Sequence, residues 1–219
     1  MLRHLILVPT EYERQIVGPL LAAGQGVSDR VALCGFGPVA AAARTCQLLS
    51  QTPASRVILV GIAGRLDERL TVGSASRFDQ VACHGIGVGS GAEFVAAGGL
   101  GWPQWPGDPP EAGHEIGDVL PCTTKTVPTA GRSEVLLTSC AAAASDDDVR
   151  QRRRLHPEAT AEDMEGFGVA LACRLCKTPV DIVRGISNTA GDRDKSRWRV
   201  SAALEAAAAI ALALMAEAS

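Results

Sequence analysis

The sequence predicts a three-layer α/β fold, in which a central, mixed but mostly parallel sheet is flanked by helices. Short β-branched runs alternate along the chain with helical stretches, which is typical of parallel sheets. The strand runs are continuously apolar rather than alternating, which indicates burial on both faces. The chain has 219 residues, 47% of them hydrophobic, and this length suits one domain with a substantial core. We therefore predict a single domain over residues 1–219.

Six segments have the composition of buried strands and four have that of helices. The predicted strands are Leu5–Val8, Val31–Cys34, Val57–Val60, Phe78–Ala82, Val135–Thr138 and Val180–Ser187. The predicted helices are Glu11–Ala23, Pro38–Leu49, Asp163–Cys176 and Ser201–Met215. Thr160 and Asp163 form a capping-box pattern, which predicts that the third helix starts in this segment.

A Gly/Pro/Trp-rich insertion interrupts the pattern around residues 84–128. Trp102 and Trp105 lie within it. An irregular segment of this length in a compact domain is typically functional or mobile. We expect it near the ligand or at a subunit contact, because two tryptophans are a large apolar area to leave in water. A plain surface loop is the alternative.

Charge and composition exclude several classes of function. The net charge is −3, so neither nucleic acid nor an anionic membrane surface is expected as a partner. The seven cysteines are scattered, and the Cys173-x-x-Cys176 pair has no second pair, so no metal site is expected. The longest apolar stretch, Ala206 to Ala216, is shorter than the ~20 residues that span a bilayer. The apolar run before Pro9 is too short for a signal peptide. We expect a cytoplasmic protein.

Polar residues and glycines follow the predicted strands, where ligands of parallel sheets collect. Glu11 and Glu13 follow the first strand and begin a helix, where the helix dipole alone would favour them. A Gly-x-Gly-x-x-Ala motif at 35–40 imitates a dinucleotide-binding fingerprint. That fingerprint also needs an acidic residue at the end of the next strand. Here that strand ends in Gly61, so no nicotinamide cofactor is predicted.

Two further polar residues are candidates for ligand contacts. Asn188, the one asparagine of the chain, carries a donor and an acceptor on one planar end. This suits the edge of a planar heterocycle, although a turn residue is the simpler alternative. Glu165 lies where Glu162 and Asp163 already supply the charge that favours a helix start. It could accept hydrogen bonds from a sugar diol, or form part of a charged helix surface.

These pieces, in this order, resemble the purine nucleoside phosphorylase and methylthioadenosine/S-adenosylhomocysteine nucleosidase superfamily. The shared features are a Glu-x-Glu after the first strand, the Gly-x-Gly strand end, Val-Gly-Ile-Ala-Gly at 60–64, Asp-Met-Glu-Gly at 163–166 and Val-Arg-Gly-Ile-Ser-Asn at 183–188. Within it, the chain resembles the futalosine hydrolases, through His-Gly-Ile-Gly-Val-Gly at 84–89, the Ser-Asn ending and Gly-Asp-Arg-Asp at 191–194 followed by Trp198. The resemblance implies a nucleoside phosphorylase-like fold.

The resemblance also implies an activity and site residues. The activity is hydrolysis of the N-glycosidic bond of futalosine, giving hypoxanthine and dehypoxanthine futalosine, in the alternative menaquinone pathway. Glu13 would activate the attacking water, and Arg184 would help hold that water and Glu13. Glu165 would bind the ribose hydroxyls and Asn188 the base. The remaining substrate contacts implied are Ala63, Gly64, Met164, Phe167 and Ser187. The resemblance implies no cofactor, and a homodimer or larger homo-oligomer whose subunits complete the pocket.

Asn188 departs from the adenine-specific nucleosidases, in which an aspartate protonates the base. A neutral amide can donate to a 6-oxo group and accept from a protonated ring nitrogen, so it fits hypoxanthine better. Two other departures are Ile62, where related nucleosidases have a serine, and the absence of an aromatic residue from 139–143. Phe167 or the Trp102–Trp105 loop could supply the residue that stacks on the base.

Three alternatives stay open. One is a methylthioadenosine/S-adenosylhomocysteine nucleosidase, which Asn188 disfavours. A purine nucleoside phosphorylase would need a cluster of arginines for phosphate, and the strand before Gly61 offers Arg56 at its wrong end. A nucleoside-binding protein without activity would not need residues that activate water. Futalosine carries an aromatic carboxylate beyond its ribose, and the candidates to bind it are Arg193, Arg197 and Arg199.

Overall fold

The computed structural model of the chain describes residues 1–22, 24, 26, 29–107, 115–122 and 134–217. The strands and α-helices in these ranges are β1 (Leu2–Val8), α1 (Glu11–Ala22), β2 (Asp29–Leu33), α2 (Pro38–Gln51), β3 (Ala54–Arg65), β4 (Ala75–Phe78), β5 (Gln80–His84), β6 (Gly87–Val88), β7 (Val95–Ala96), β8 (Val119–Pro121), β9 (Val135–Ser139), α3 (Asp146–Leu155), β10 (Ala159–Asp163), α4 (Gly166–Leu175), β11 (Val180–Thr189) and α5 (Val200–Glu217).

One mixed sheet has the strand order β2-β1-β3-β10-β9-β5-β8, and β11 pairs with β3 and β4. Strand β3 changes partner along its length. Its first part pairs parallel with β1, in a register that ends at Leu7 opposite Leu59. Its end pairs antiparallel with β10, where Glu162 lies opposite Gly64. Between Leu59 and Gly64, this edge of β3 has no partner among the described strands, so backbone groups there must find other partners.

Helices cover both faces of the sheet. One hydrophobic cluster joins the sheet to α2 and α4, through residues such as Leu48 and Val169. A second cluster joins the opposite face to α1 and α5, through residues such as Val17 and Leu204. These two clusters make the fold a three-layer α/β structure, as the sequence predicted.

Helix α5 is long and apolar enough, by length and composition, to cross a membrane. Its contacts within the chain are those of a core helix. Ala203, Leu204, Ala207 and Ala211 are fully buried. A Cβ on Gly185 of β11 would overlap the backbone carbonyl of Ala203, so this glycine lets α5 lie directly on the sheet.

Five predicted strands and the predicted helices lie where the sequence placed them, apart from shifts of element ends; Ala23 lies outside the described residues. The predicted strand Phe78–Ala82 is two strands, because the chain leaves β4 at Phe78 and enters β5 at Gln80. The predicted helix start at Thr160 is wrong. Residues 159–163 form β10, since pairing with β3 and β9 satisfies their backbone groups and overrides the local capping pattern.

The predicted insertion is described at 84–107 and 115–122; residues 108–114 and 123–128 lie outside the described residues. It contains the short hairpin β6–β7 and strand β8, which pairs with β5. Trp105 packs against the core cluster, whereas Trp102 is 75% exposed. The two tryptophans therefore have different environments.

Candidate active site

A cavity of about 240 Å³ opens where β3 lacks a strand partner. Its walls come from the start of α1, the end of β2, the end of β10 and the end of β11. This is the switch point at which ligands bind in open α/β sheets. The lining residues are Pro9, Thr10, Tyr12, Glu13, Phe36, Ile62, Ala63, Gly64, Ala142, Glu162, Asp163, Met164, Glu165, Ser187, Asn188, Arg193 and Trp198.

Glu13, in the first turn of α1, is bound to the unpaired stretch of β3. Its Oε1 accepts a hydrogen bond from the Ile62 backbone N–H at 3.0 Å. Its Oε2 accepts from the Thr10 backbone N–H at 3.1 Å and from the Thr10 hydroxyl at 2.5 Å. These hydrogen bonds fix both carboxylate oxygens. The side chain is 4% exposed, and its exposed part faces the cavity. Sequence reasoning overlooked Thr10 and treated Ile62 only as a departure.

Arg184 lies beneath the cavity and is completely buried. Its Nε and Nη2 donate to Oδ2 of Asp163 at 3.0 and 2.5 Å, and Nη2 also approaches Oε2 of Glu165 at 3.2 Å. Its Nη1 has no hydrogen-bond partner among the described residues. A Cβ on Gly61 would meet this Nη1 and Oε1 of Glu13. The guanidinium therefore binds Asp163 and Glu165 directly, and turns its free nitrogen towards the Glu13 side.

Asp163 joins three elements and was assigned only a capping role from the sequence. Its Oδ1 accepts from the Thr138 hydroxyl at 2.6 Å, and its Oδ2 accepts from the Gly166 N–H at 2.8 Å. Asp163 thus binds the first backbone N–H of α4 from the end of β10, and not from within a helix as the capping-box pattern predicted. The two hydrogen bonds from Arg184 to Oδ2 could not be read from the sequence, because 21 positions separate the two residues.

Glu165 immediately precedes α4 but makes no side-chain bond to the helix start. Its Oε1 instead accepts from the Gly37 backbone N–H at 2.9 Å. The Gly-x-Gly after β2 thus contributes an amide to the site; Gly37 has a φ of 85°, which favours glycine. Burial raises the pKa of Glu165 to about 7, and the charges of Asp163 and Glu13 add to this, while Arg184 and the Gly37 N–H oppose it.

Asn188 is oriented by its own strand. The β11–β3 register shifts between Ile186 and Asn188, so Ser187 is a bulge. Nδ2 of Asn188 donates to the Thr189 carbonyl at 2.8 Å, and its Oδ1 accepts from the Ser187 hydroxyl at 2.7 Å. Because the Thr189 backbone carbonyl can only accept a hydrogen bond, the Asn188 side-chain atom that faces it must be the amide nitrogen. One N–H and one oxygen lone pair remain for a ligand.

The other predicted substrate contacts divide into two groups. Ala63, Gly64, Met164 and Ser187 line the cavity. Phe167 does not: it is 3% exposed within the core cluster, because its backbone N–H binds the Thr138 hydroxyl and starts α4 in the interior.

The aromatic residues of the cavity also differ from the predicted ones. Neither Trp102 nor Trp105 lines it; Tyr12, Phe36 and Trp198 do. Of the three candidate arginines, Arg193 alone is among the lining residues. Phe36, Arg193 and Trp198 lie in loops that follow strands, and Tyr12 lies in the first turn of α1. No periodic pattern in the sequence therefore indicates that these side chains line the cavity.

The chain belongs to the Phosphorylase superfamily, whose sequence model matches residues 14–217. It is 34% identical over 186 residues to the futalosine hydrolase of Streptomyces coelicolor, which covers 78% of this chain and 72% of that protein. It is 33% identical over 160 residues to the 5'-methylthioadenosine/S-adenosylhomocysteine nucleosidase of Marinomonas sp., covering 72% of this chain and 66% of that protein.

Solved structures have the same fold. The futalosine hydrolase of Helicobacter pylori superposes with a TM-score of 0.72 at 17% identity, covering 97% of both chains. The Colwellia psychrerythraea methylthioadenosine/S-adenosylhomocysteine nucleosidase in complex with adenine has a TM-score of 0.76 at 20% identity, covering 99% of this chain and 95% of that one. The comparisons confirm the family, the fold and the enzyme class that the sequence predicted.

Gly61→Ala should destabilise the protein, because the added Cβ would overlap Arg184 and lie 2.9 Å from Oε1 of Glu13. We expect a loss of about 1–3 kcal/mol in the free energy of unfolding, the usual effect of overpacking. The measurement is urea denaturation. Gly18→Ala in α1 is the matched control: nothing lies within 4 Å of its Cβ position, so stability should be unchanged or rise by up to ~1 kcal/mol. Equal stability of both variants would contradict the packing described here.

Proposed function

We propose that the protein hydrolyses the N-glycosidic bond of futalosine, giving hypoxanthine and dehypoxanthine futalosine. The observation that carries this proposal is the meeting of Glu13, Glu165 and Asn188 in one cavity. Similarity to the futalosine hydrolase of Streptomyces coelicolor supports the choice of substrate. The reaction would belong to the alternative menaquinone pathway and take place in the cytoplasm.

In this mechanism Glu13 is the general base that removes a proton from the attacking water. One oxygen is oriented by Ile62 and the other by Thr10, so the carboxylate is positioned before substrate binds. Nη1 of Arg184 is buried and lies, like Oε1 of Glu13, next to the Cβ position of Gly61. In this proposal Arg184 helps to hold Glu13 and the water from beneath the cavity. Such positioned acid–base groups typically contribute 10²–10⁴-fold to the rate.

Glu165 would bind the ribose hydroxyls and stabilise the positive charge that develops on the sugar as the bond breaks. Its carboxylate already holds the Gly37 N–H and Arg184, so its position does not depend on the substrate. Only the ionised form supplies the negative charge, and the raised pKa makes that form dependent on pH near neutrality.

Asn188 would read the base through its remaining donor and acceptor. The free N–H can donate to the oxygen of a 6-oxopurine, and Oδ1 can accept from a protonated ring nitrogen. The amide cannot supply that proton itself, so the leaving base takes its proton from water as the glycosidic bond breaks. The exocyclic amine of adenine offers a donor in place of that oxygen. The fixed amide therefore favours hypoxanthine over adenine.

Methylthioadenosine/S-adenosylhomocysteine nucleosidases are also similar to the chain, so the substrate must be tested directly. The experiment is mass spectrometry of products from futalosine, inosine and methylthioadenosine in phosphate-free buffer. We expect hypoxanthine from futalosine. Adenine release as the main activity would favour the other nucleosidase, and a requirement for phosphate would indicate a phosphorylase.

We also propose that the protein works as a homodimer or larger homo-oligomer. Exposed apolar residues concentrate in the insertion, at Ile86, Val88, Val95, Leu100, Trp102 and Val119. Such a concentration supports a contact between protein surfaces. Light scattering after size-exclusion chromatography should give a mass of at least twice 22.7 kDa.

Glu13→Gln should lower kcat by about 10²-fold or more, because the amide cannot accept the proton from water. The matched control is Glu11→Gln. Glu11 lies on the same helix but is exposed and paired with Arg14, so its loss should leave turnover of futalosine within about twofold of wild type. Near-normal turnover by Glu13→Gln in a steady-state assay would remove the role given to Glu13.

The kcat/KM for futalosine should rise with pH through about 7 and then level off. The pKa of Glu165 is raised to about 7 in the folded protein, so the carboxyl group is mostly neutral below that pH and mostly anionic above it. Glu165→Gln should lower kcat/KM by about 10²-fold and remove this rise. An unchanged profile in that variant would show that another group titrates; Glu11→Gln again serves as the control.

Asn188→Asp should gain cleavage of adenine nucleosides relative to futalosine, because an aspartate can be protonated and donate to an adenine ring nitrogen. The measurement is the ratio of kcat/KM for methylthioadenosine and futalosine, compared with wild type. If this ratio is the same in Asn188→Asp and wild type, Asn188 does not recognise the base.

A further inference from the structure

Charge is distributed unevenly between the floor and the rim of the cavity. On the floor, Glu13, Asp163 and Glu165 lie near one buried cation among the residues that the structure describes, Arg184. Glu162 is paired separately, with Arg152. The floor thus carries surplus negative charge, which suits an electron-deficient sugar. The rim is different: it is aromatic and carries one arginine.

That arginine is Arg193, whose guanidinium lies 5.3 Å from the centroid of the Trp198 ring. The ring itself is held in place, since its Nε1 donates to the backbone carbonyl of Asp192 at 3.1 Å. A guanidinium that lies over an aromatic ring makes a cation–π contact, which leaves its N–H groups available to an acceptor. The geometry therefore restrains Arg193 without using its donors.

The acidic neighbours of Arg193 are neutralised by a different residue. Asp192 accepts from Nη2 of Arg197 at 2.7 Å, and Asp194 lies 3.5 Å from Nε of the same side chain. Arg193 forms no ion pair with any residue that the structure describes. Arg199 does not line the cavity, and its Cβ lies 3.7 Å from the Cβ position of Gly73. One of the three arginines near the motif is thus available to a ligand at the cavity.

The position of this arginine decides which part of a nucleoside it could meet. A nucleoside with its base at Asn188 and its sugar between Glu13 and Glu165 would place both of these parts against buried side chains. The substituent at the 5' carbon is the part that leaves through the rim. There it would lie among Tyr12, Phe36 and Trp198, the first two of which are 60% and 66% exposed.

We propose that Arg193, which lies over the Trp198 ring, binds the carboxylate of an aromatic 5' substituent and so selects anionic nucleosides over neutral ones. A guanidinium donates two parallel hydrogen bonds to a carboxylate, and the rim aromatics accept the ring that carries it. This inference rests on the proposed nucleosidase function. It adds the residue that distinguishes futalosine from a nucleoside with a free 5' hydroxyl.

The test compares wild type with Arg193→Gln on three ligands: futalosine, its methyl ester and inosine. Hydrogen bonds to charged groups predict a loss of about 10- to 100-fold in kcat/KM for futalosine. The ester and inosine should change by less than about twofold, because they lack the carboxylate. Arg193 is exposed, so the variant should fold normally, which circular dichroism checks.

Arg199→Gln is the matched control, because it removes the same charge from the same segment without touching the cavity. It should leave the preference for futalosine over the ester unchanged. If Arg199→Gln and Arg193→Gln lose kcat/KM for futalosine equally, the effect comes from overall charge and not from a contact with Arg193. That result would overturn the proposal. So would a wild type that cleaves futalosine and its ester equally well.

Calorimetric binding of futalosine and the ester to the same proteins separates this inference from the proposed function. Binding that depends on the carboxylate and on Arg193, without turnover of any ligand, would refute the nucleosidase and retain the anion site. Turnover of futalosine without that dependence would retain the nucleosidase and refute the anion site.

Discussion

One buried guanidinium holds the site together. Arg184 is completely buried, and it pairs with Asp163 and Glu165 while Glu13 lies close by. Removing one partner of such a buried pair typically costs 3–5 kcal/mol, so Asp163 and Glu165 depend on this cation. One positive charge cannot balance three negative ones. Burial raises the pKa of Glu165, and the charges of Asp163 and Glu13 add to this effect. The same arrangement that stabilises the site leaves an anionic floor for a cationic sugar.

The change of partner along β3 explains why these groups lie where they do. Pairing with β1 ends at Leu59 and pairing with β10 begins at Gly64. The edge between them exposes backbone groups, and Glu13 binds the Ile62 N–H there. Gly61 leaves space for Arg184 and Glu13 to approach that edge. An interruption in the sheet thus becomes a cavity with one carboxylate already oriented.

The proposed selectivity uses two regions of the cavity. Asn188 is fixed by Ser187 and Thr189 and would read the base. Arg193 is held by Trp198 at the rim and would read the far end of the substrate. Both side chains come from the same segment of chain, the end of β11 and the loop after it. Substrate preference could therefore change within this segment while Glu13 and Glu165 keep their place.

Much of the fold and part of the site followed from the sequence. Continuous apolar strands between helices determined the fold class, and short motifs at strand ends indicated Glu13, Glu165 and Asn188, because these signals are local. Only the tertiary structure decided that Ala159–Asp163 is a strand, since two neighbouring strands satisfy its backbone. It also decided that Phe167 is in the core and Arg193 at the rim, and that Asp163 pairs with Arg184. Those outcomes depend on contacts between distant parts of the chain, which no local pattern encodes.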